Sequence, residues 1–209
     1  MPIKLNRDKF PPEIAEAIKL RLSAFVKVDD PAYRLLNDAM DQSVGERLPV
    51  LNMGVDEAAT GGPGLASARP AGWRVLAASG NDASVAADVY ATEQDRPWLV
   101  CVRRGPRIAS ILDAISRVPS ALEKEFQTDQ GFSLYLLLMP ELFTDALFLK
   151  SDHGVERVFP YFTLIPNLTV MKLYTEEEFL NSLRPFADAR KHLPEPEEYQ
   201  PPGSRGPLF

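Results

Sequence analysis

The chain has 209 residues, 45% hydrophobic and 25% charged, with a formal net charge of −6. That length can bury a sizeable core without a disulfide or a structural metal, and an acidic pI near 5.1 argues against an extended nucleic-acid surface, which needs clustered Lys and Arg. The longest apolar runs, such as 132–139, fall well short of the roughly 20 residues that cross a bilayer, so no membrane span is expected. A single cysteine, Cys101, and an opening segment without an apolar run point to a reducing, cytoplasmic setting.

Residues 1–55 read as a helical hairpin. Pro11-Pro12 and Glu13 open a segment with Ile14, Ile18, Leu22, Phe25 and Val26 on one face. Asp30-Pro31 then restarts the pattern as N-cap and first helical residue, with Leu35, Leu36, Ala39 and Met40 continuing it. Two such stripes cannot bury each other fully, so the hairpin must dock on the rest of the chain or on a partner, a homodimer being one form. A short strand at 49–53 precedes residues 56–71, rich in Ala, Gly and Pro, which read as a flexible loop or linker.

From 72 to 192 the pattern is α+β. Strands are predicted at 73–79, 84–91 and 98–103, then a helix; a second set follows at 132–138, 146–150, 155–159 and 169–173, then another helix. The fold class is therefore an N-terminal helical hairpin followed by a mainly antiparallel sheet with helices packed on it, a layout compatible with two pseudo-repeated βββα units. The first of these helices has the strongest pattern in the chain, Ile108, Ile111, Leu112, Ile115, Val118, Leu122 and Phe126 recurring at steps of three and four. Pro106 suits its first position, with Gly105 as N-cap, and Pro119 should stop or kink it near Val118, leaving Ser120 and Glu123 to cap a second short helix. In the later helix Thr175 and Glu178 form a capping box, Tyr174 and Phe179 a hydrophobic staple, and Pro185 an end. Residues 193–209 form a Pro-rich, acidic tail expected to lack a core of its own.

The residues offer few chemistries. Arg103, Arg104, Gly105 and Arg107 flank a helix start, where free N–H groups and guanidiniums could hold an anion, although Pro106 removes one donor and no phosphate-loop motif is present. Cys101 with His153 or His192 has no support for adjacency, and Cys101 reads as an inert buried thiol. No zinc spacing exists: Asp145, Asp152 and His153 would have to converge with a further ligand, and Asp152-His153-Gly154 is more simply a hairpin turn. The run Glu176-Glu177-Glu178 suits the first turn of a helix. Tyr199, Leu208 and Phe209 in the tail suit an extended segment that docks in another protein's groove. With no cofactor motif and no metal set, the expectation is a non-enzymatic interaction or regulatory module with a protein partner. The alternative is an enzyme or binder acting on a small anion at the 103–107 turn.

Overall fold

The computed structural model describes residues 4–6, 10–41, 45–59, 64–79, 83–91, 97–126 and 130–192. Among them are nine strands, β1 (Lys4–Asn6), β2 (Glu46–Asn52), β3 (Arg69–Ser79), β4 (Ala83–Ala91), β5 (Pro97–Arg104), β6 (Gly131–Met139), β7 (Thr144–Ser151), β8 (Glu156–Thr163) and β9 (Tyr174–Thr175). Five α-helices accompany them, α1 (Pro12–Phe25), α2 (Pro31–Asp41), α3 (Val55–Ala59), α4 (Pro106–Glu125) and α5 (Glu176–Lys191). No helix among the described residues is long and apolar enough to cross a membrane.

The strands form one sheet in the order β5-β4-β3-β2-β6-β7-β8-β9, with β1 alongside β6. Every pairing is antiparallel except β1–β6 and β2–β6. The sheet is thus two antiparallel meanders, β2 to β5 and β6 to β9, joined edge to edge by the parallel pair β2–β6. Side-chain alternation divides its two faces. On one, Leu48, Val50, Leu76, Leu134, Leu136, Leu147 and Phe159 meet the Ile108, Ile111, Ile115, Val118 and Leu122 stripe of α4. On the other, Val75, Ala77, Val85, Ala87 and Val89 carry the α1–α2 hairpin, while Leu137, Met139, Phe148 and Val158 carry α3 and α5. The expected pair of repeated βββα units is not confirmed: one meander feeds a 20-residue helix from a full strand, the other a 16-residue helix from a two-residue strand.

The local signals hold at several turns. The Asp30 carboxylate accepts the Ala32 N–H at 2.8 Å, the Thr175–Glu178 capping box forms, and Ser151 Oγ accepts the Val155 N–H at 2.9 Å to close the turn through Asp152 and His153. Four readings are corrected. Residues 56–71, read as a loop, contain α3 and a 3₁₀ turn at Gly64–Ser67, with Ala58 and Leu65 buried against the α5 core. The strand expected at 169–173 is a turn, stitched by the Met171 N–H to the Pro160 carbonyl, and the pairing strand is β9 instead. Pro119 and Pro185 both lie inside continuous helices. Each removes one backbone hydrogen bond, but Val118 and Leu122, and Leu183 and Ala187, continue the buried stripe across the break, so packing outweighs propensity. Replacing Pro119 by Ala should therefore raise stability by about 1–3 kcal/mol in chemical denaturation, restoring that bond without touching the core; no gain would mean that the helix is already adapted to the ring.

Candidate functional site

The helix start at Pro106 is reached by a direct strand-to-helix turn. Gly105, at φ 111°, occupies backbone space that L side chains rarely enter, and it lets β5 run into α4 without a loop. The consequence is that Arg103, at the end of the strand, and Arg107, in the first turn of the helix, stand on either side of one concavity. It is a cleft of about 580 Å³ on the α4 face of the sheet, lined by Arg74, Arg103, Arg104, Arg107 and Asp145, with Asn52 and Tyr90. Ile108, Leu138, Pro140 and Phe143 complete the wall. Its size falls within the range of small-ligand sites, roughly 300–1,000 Å³.

The floor is built by register. Arg74 on β3 pairs with Asp88 on β4, which pairs with Cys101 on β5, so three polar residues form one row across three strands. The Asp88 carboxylate is fully buried and takes both Nε and Nη2 of Arg74, the latter at 2.9 Å, and Arg103 Nε at 2.6 Å. Burial alone would raise its proton affinity, but the two guanidiniums outweigh burial and hold its pKa below the ordinary carboxylate range. Cys101 Sγ lies 3.5 Å from the same carboxylate. Burial and the Asp88 charge raise its pKa, which disfavours thiolate and agrees with an inert thiol; it is half-buried, however, and not the core residue its neighbours Val100 and Val102 suggest. Gly72 is also required here, because a Cβ at this φ of 148° would lie 2.0 Å from the Val89 carbonyl oxygen and 2.9 Å from the Tyr90 ring.

The second meander contributes Asp145. It sits on β7 beside Leu138 of β6 and Phe162 of β8, and its carboxylate is 2.8 Å from Arg107 Nη2, whose guanidinium lies 3.8 Å over the Phe162 ring. Asp145 is 6% exposed, and burial pushes its pKa up more than Arg107 and Arg74 pull it down. Next to it the Tyr161 hydroxyl is buried against the Asp145 carboxylate, and burial together with the Asp145 charge raises its pKa well above the usual value. At the mouth, Phe143 is exposed and left-handed at φ 47°, a costly conformation for a bulky residue.

All of the arginines expected at an anion site therefore meet in one cleft, each half-exposed and each held by a carboxylate, Arg103 by Asp88, Arg104 by Asp30 at 2.8 Å and Arg107 by Asp145. The sequence reading missed Arg74, Asp88 and Tyr161. Their one signal was a lone charge on the inward parity of an apolar strand, as in Arg74 two residues from Leu76 and Asp88 two from Ala86. Asp145 cannot join Asp152 and His153 in a metal site, because they lie at opposite ends of β7, and no cluster of three metal-ligating side chains occurs among the described residues. His192 ends α5, far along the chain from Cys101, and Glu176 to Glu178 cap that helix. Tyr199, Leu208 and Phe209 lie outside the described residues.

The two buried carboxylates should behave oppositely in denaturant melts at pH 7. Asp88→Asn leaves the buried Arg74 charge poorly compensated and should cost about 3–5 kcal/mol. A group whose folded pKa is lowered supports the fold above its unfolded pKa, so the Asp88 contribution should fade as pH falls below about 4. Asp145 has its folded pKa raised, so ionisation opposes folding at neutral pH. Asp145→Asn should accordingly leave stability within about 1 kcal/mol of wild type, or above it. No protein-family model matches the chain and no curated protein or solved structure is similar to it, so the meaning of the cleft rests on its own geometry.

Proposed function

We propose that the chain binds a small organic anion in the cleft between the two meanders, through Arg103, Arg104 and Arg107 with Arg74 beneath them. The observation that carries this reading is the convergence of four guanidiniums on one concave, partly apolar site of ligand size. Splayed arginines on a solvated turn would have been a surface feature; these are aligned by packing and by carboxylate partners, which is how binding sites hold guanidinium forks ready for planar anions. The costs support it too, since a buried carboxylate with a raised pKa and a left-handed Phe both fall at this one place. A cytoplasmic setting, which the lone half-buried thiol of Cys101 suits, fits the same picture.

Isothermal titration and thermal shift with phosphate, phosphate monoesters and short dicarboxylates and amino acids test the reading. At least one should bind and raise the melting temperature, with affinity falling as salt is added. The double variant Arg104→Ala, Arg107→Ala should weaken binding about tenfold or more. Absence of binding across that set would overturn the reading.

A second reading, recognition of a protein by the helical hairpin, draws on Leu20, Phe25 and Val28, which stay exposed on α1 and just beyond it. In its homodimer form the mass measured by light scattering should rise with concentration and drop to that of the monomer in Leu20→Glu, Val28→Glu. A wild-type monomer at every concentration would remove that form.

A further inference from the structure

We propose, resting on the anion-binding reading above, that the ligand is a small zwitterion, its anionic group held by Arg104 and Arg107 and its ammonium by Asp145. A site for a simple anion has no reason to keep a carboxylate in its wall, because like charges repel and the repulsion is strongest where water is thin. Asp145 is nevertheless there, 6% exposed, with the half-exposed Arg107 as its one ion-pair partner among the described residues. When an incoming anion engages Arg107, the Asp145 carboxylate loses part of its counter-charge at a site where a charge is already costly. An ammonium on the same ligand replaces it, and a buried charge is tolerated only when so paired.

Three further features fit. The buried Tyr161 hydroxyl lies against the Asp145 carboxylate, so that carboxylate sits among polar neighbours in the wall of the cleft. Tyr90 and Phe143 line the same cleft, and aromatic faces attract ammonium groups. The charges also balance. Arg74, Arg103, Arg104 and Arg107 face Asp88, Asp30 and Asp145, four cations to three anions, which leaves one positive charge. A ligand with two negative charges and one ammonium neutralises it.

Calorimetric titration of the full chain at pH 7 with two matched pairs separates the possibilities: phosphoethanolamine against ethyl phosphate, and glutamate against glutarate. Each pair keeps its anionic groups and differs in the ammonium. The ammonium-bearing member of at least one pair should bind about tenfold tighter or more, and Asp145→Asn should bring that pair to within about threefold. The wild-type comparison stands without the variant. Equal or tighter binding of ethyl phosphate and glutarate overturns the zwitterion proposal and leaves the anion reading in place; no binding by any of the four overturns the zwitterion proposal, and the anion reading falls with it where inorganic phosphate also fails to bind.

Discussion

The pairing of β2 with β6 is the constraint on which the rest of the structure depends. Each meander has an apolar face and two edges, and neither could cover its own edges alone. Joining Val50, Leu51 and Asn52 in parallel to Leu136, Leu137 and Leu138 turns two open ribbons into one sheet. It gives α4 a surface wide enough to bury its whole stripe, from Leu76 of the first meander to Phe159 of the second. The two strands run parallel at that seam while the chain continues from them to opposite sides, β2 to β3 and β6 to β7, and the carboxyl ends of β2 and β6 bring Asn52 and Leu138 to the cleft. Open α/β sheets place ligands at the same kind of topological switch point, since loops leave the two strands in opposite directions there and cannot cover the crevice between them.

Beside the seam, the sheet accepts charges where α4 does not cover it. Arg74 and Asp88 could not occupy adjacent strands of the same buried face as isolated ions; together with Arg103 they form a pair-and-a-half whose hydrogen bonds satisfy both carboxylate oxygens. Replacement by apolar residues of similar volume would often be as stable. What the ionic version offers is orientation: Arg103 is tethered at its Nε by Asp88 and lines the cleft, with no further hydrogen-bond partner among the described residues. Asp145 has no comparable compensation. Its one ion-pair partner among the described residues, Arg107, is half-exposed, so ionised Asp145 weakens the fold slightly, and a residue of that kind is expected where binding, not stability, sets the requirement.

Much of the architecture was legible in the sequence because its signals are local. Period-two and period-3.6 patterns located most strands and helices, and Asp30, Thr175 and Glu178 announced their caps within three residues. Prolines misled: Pro119 and Pro185 carry a strong local penalty, yet the stripes Val118 to Leu122 and Leu183 to Ala187 were a longer-range statement of burial that overrode it. β1 was missed since three residues, Lys4 to Asn6, show no period, and the loop reading of 56–71 failed because Leu65 and Ala58 gain their burial from α5, over a hundred residues away. The site was half legible. The arginines of the 103–107 turn stood out as a cluster, but their partners lie 15 residues away in Asp88 and 74 in Asp30, and only sheet register and hairpin docking bring them together.

Those partners also bear on how the cleft would discriminate. A guanidinium already paired with a carboxylate does not attract every passing anion, because the newcomer must displace or share an existing interaction and gains only the difference. Arg104 held by Asp30, and Arg107 by Asp145, thus set a threshold that a monatomic anion such as chloride meets poorly. An anion with two or three oxygens in a planar or tetrahedral array can bridge both guanidiniums and exceed it. On the zwitterion reading the ligand brings its own replacement for what it takes, since the ammonium restores the charge that Asp145 gives up. The same carboxylate that repels the wrong anion then becomes the contact that selects the right one.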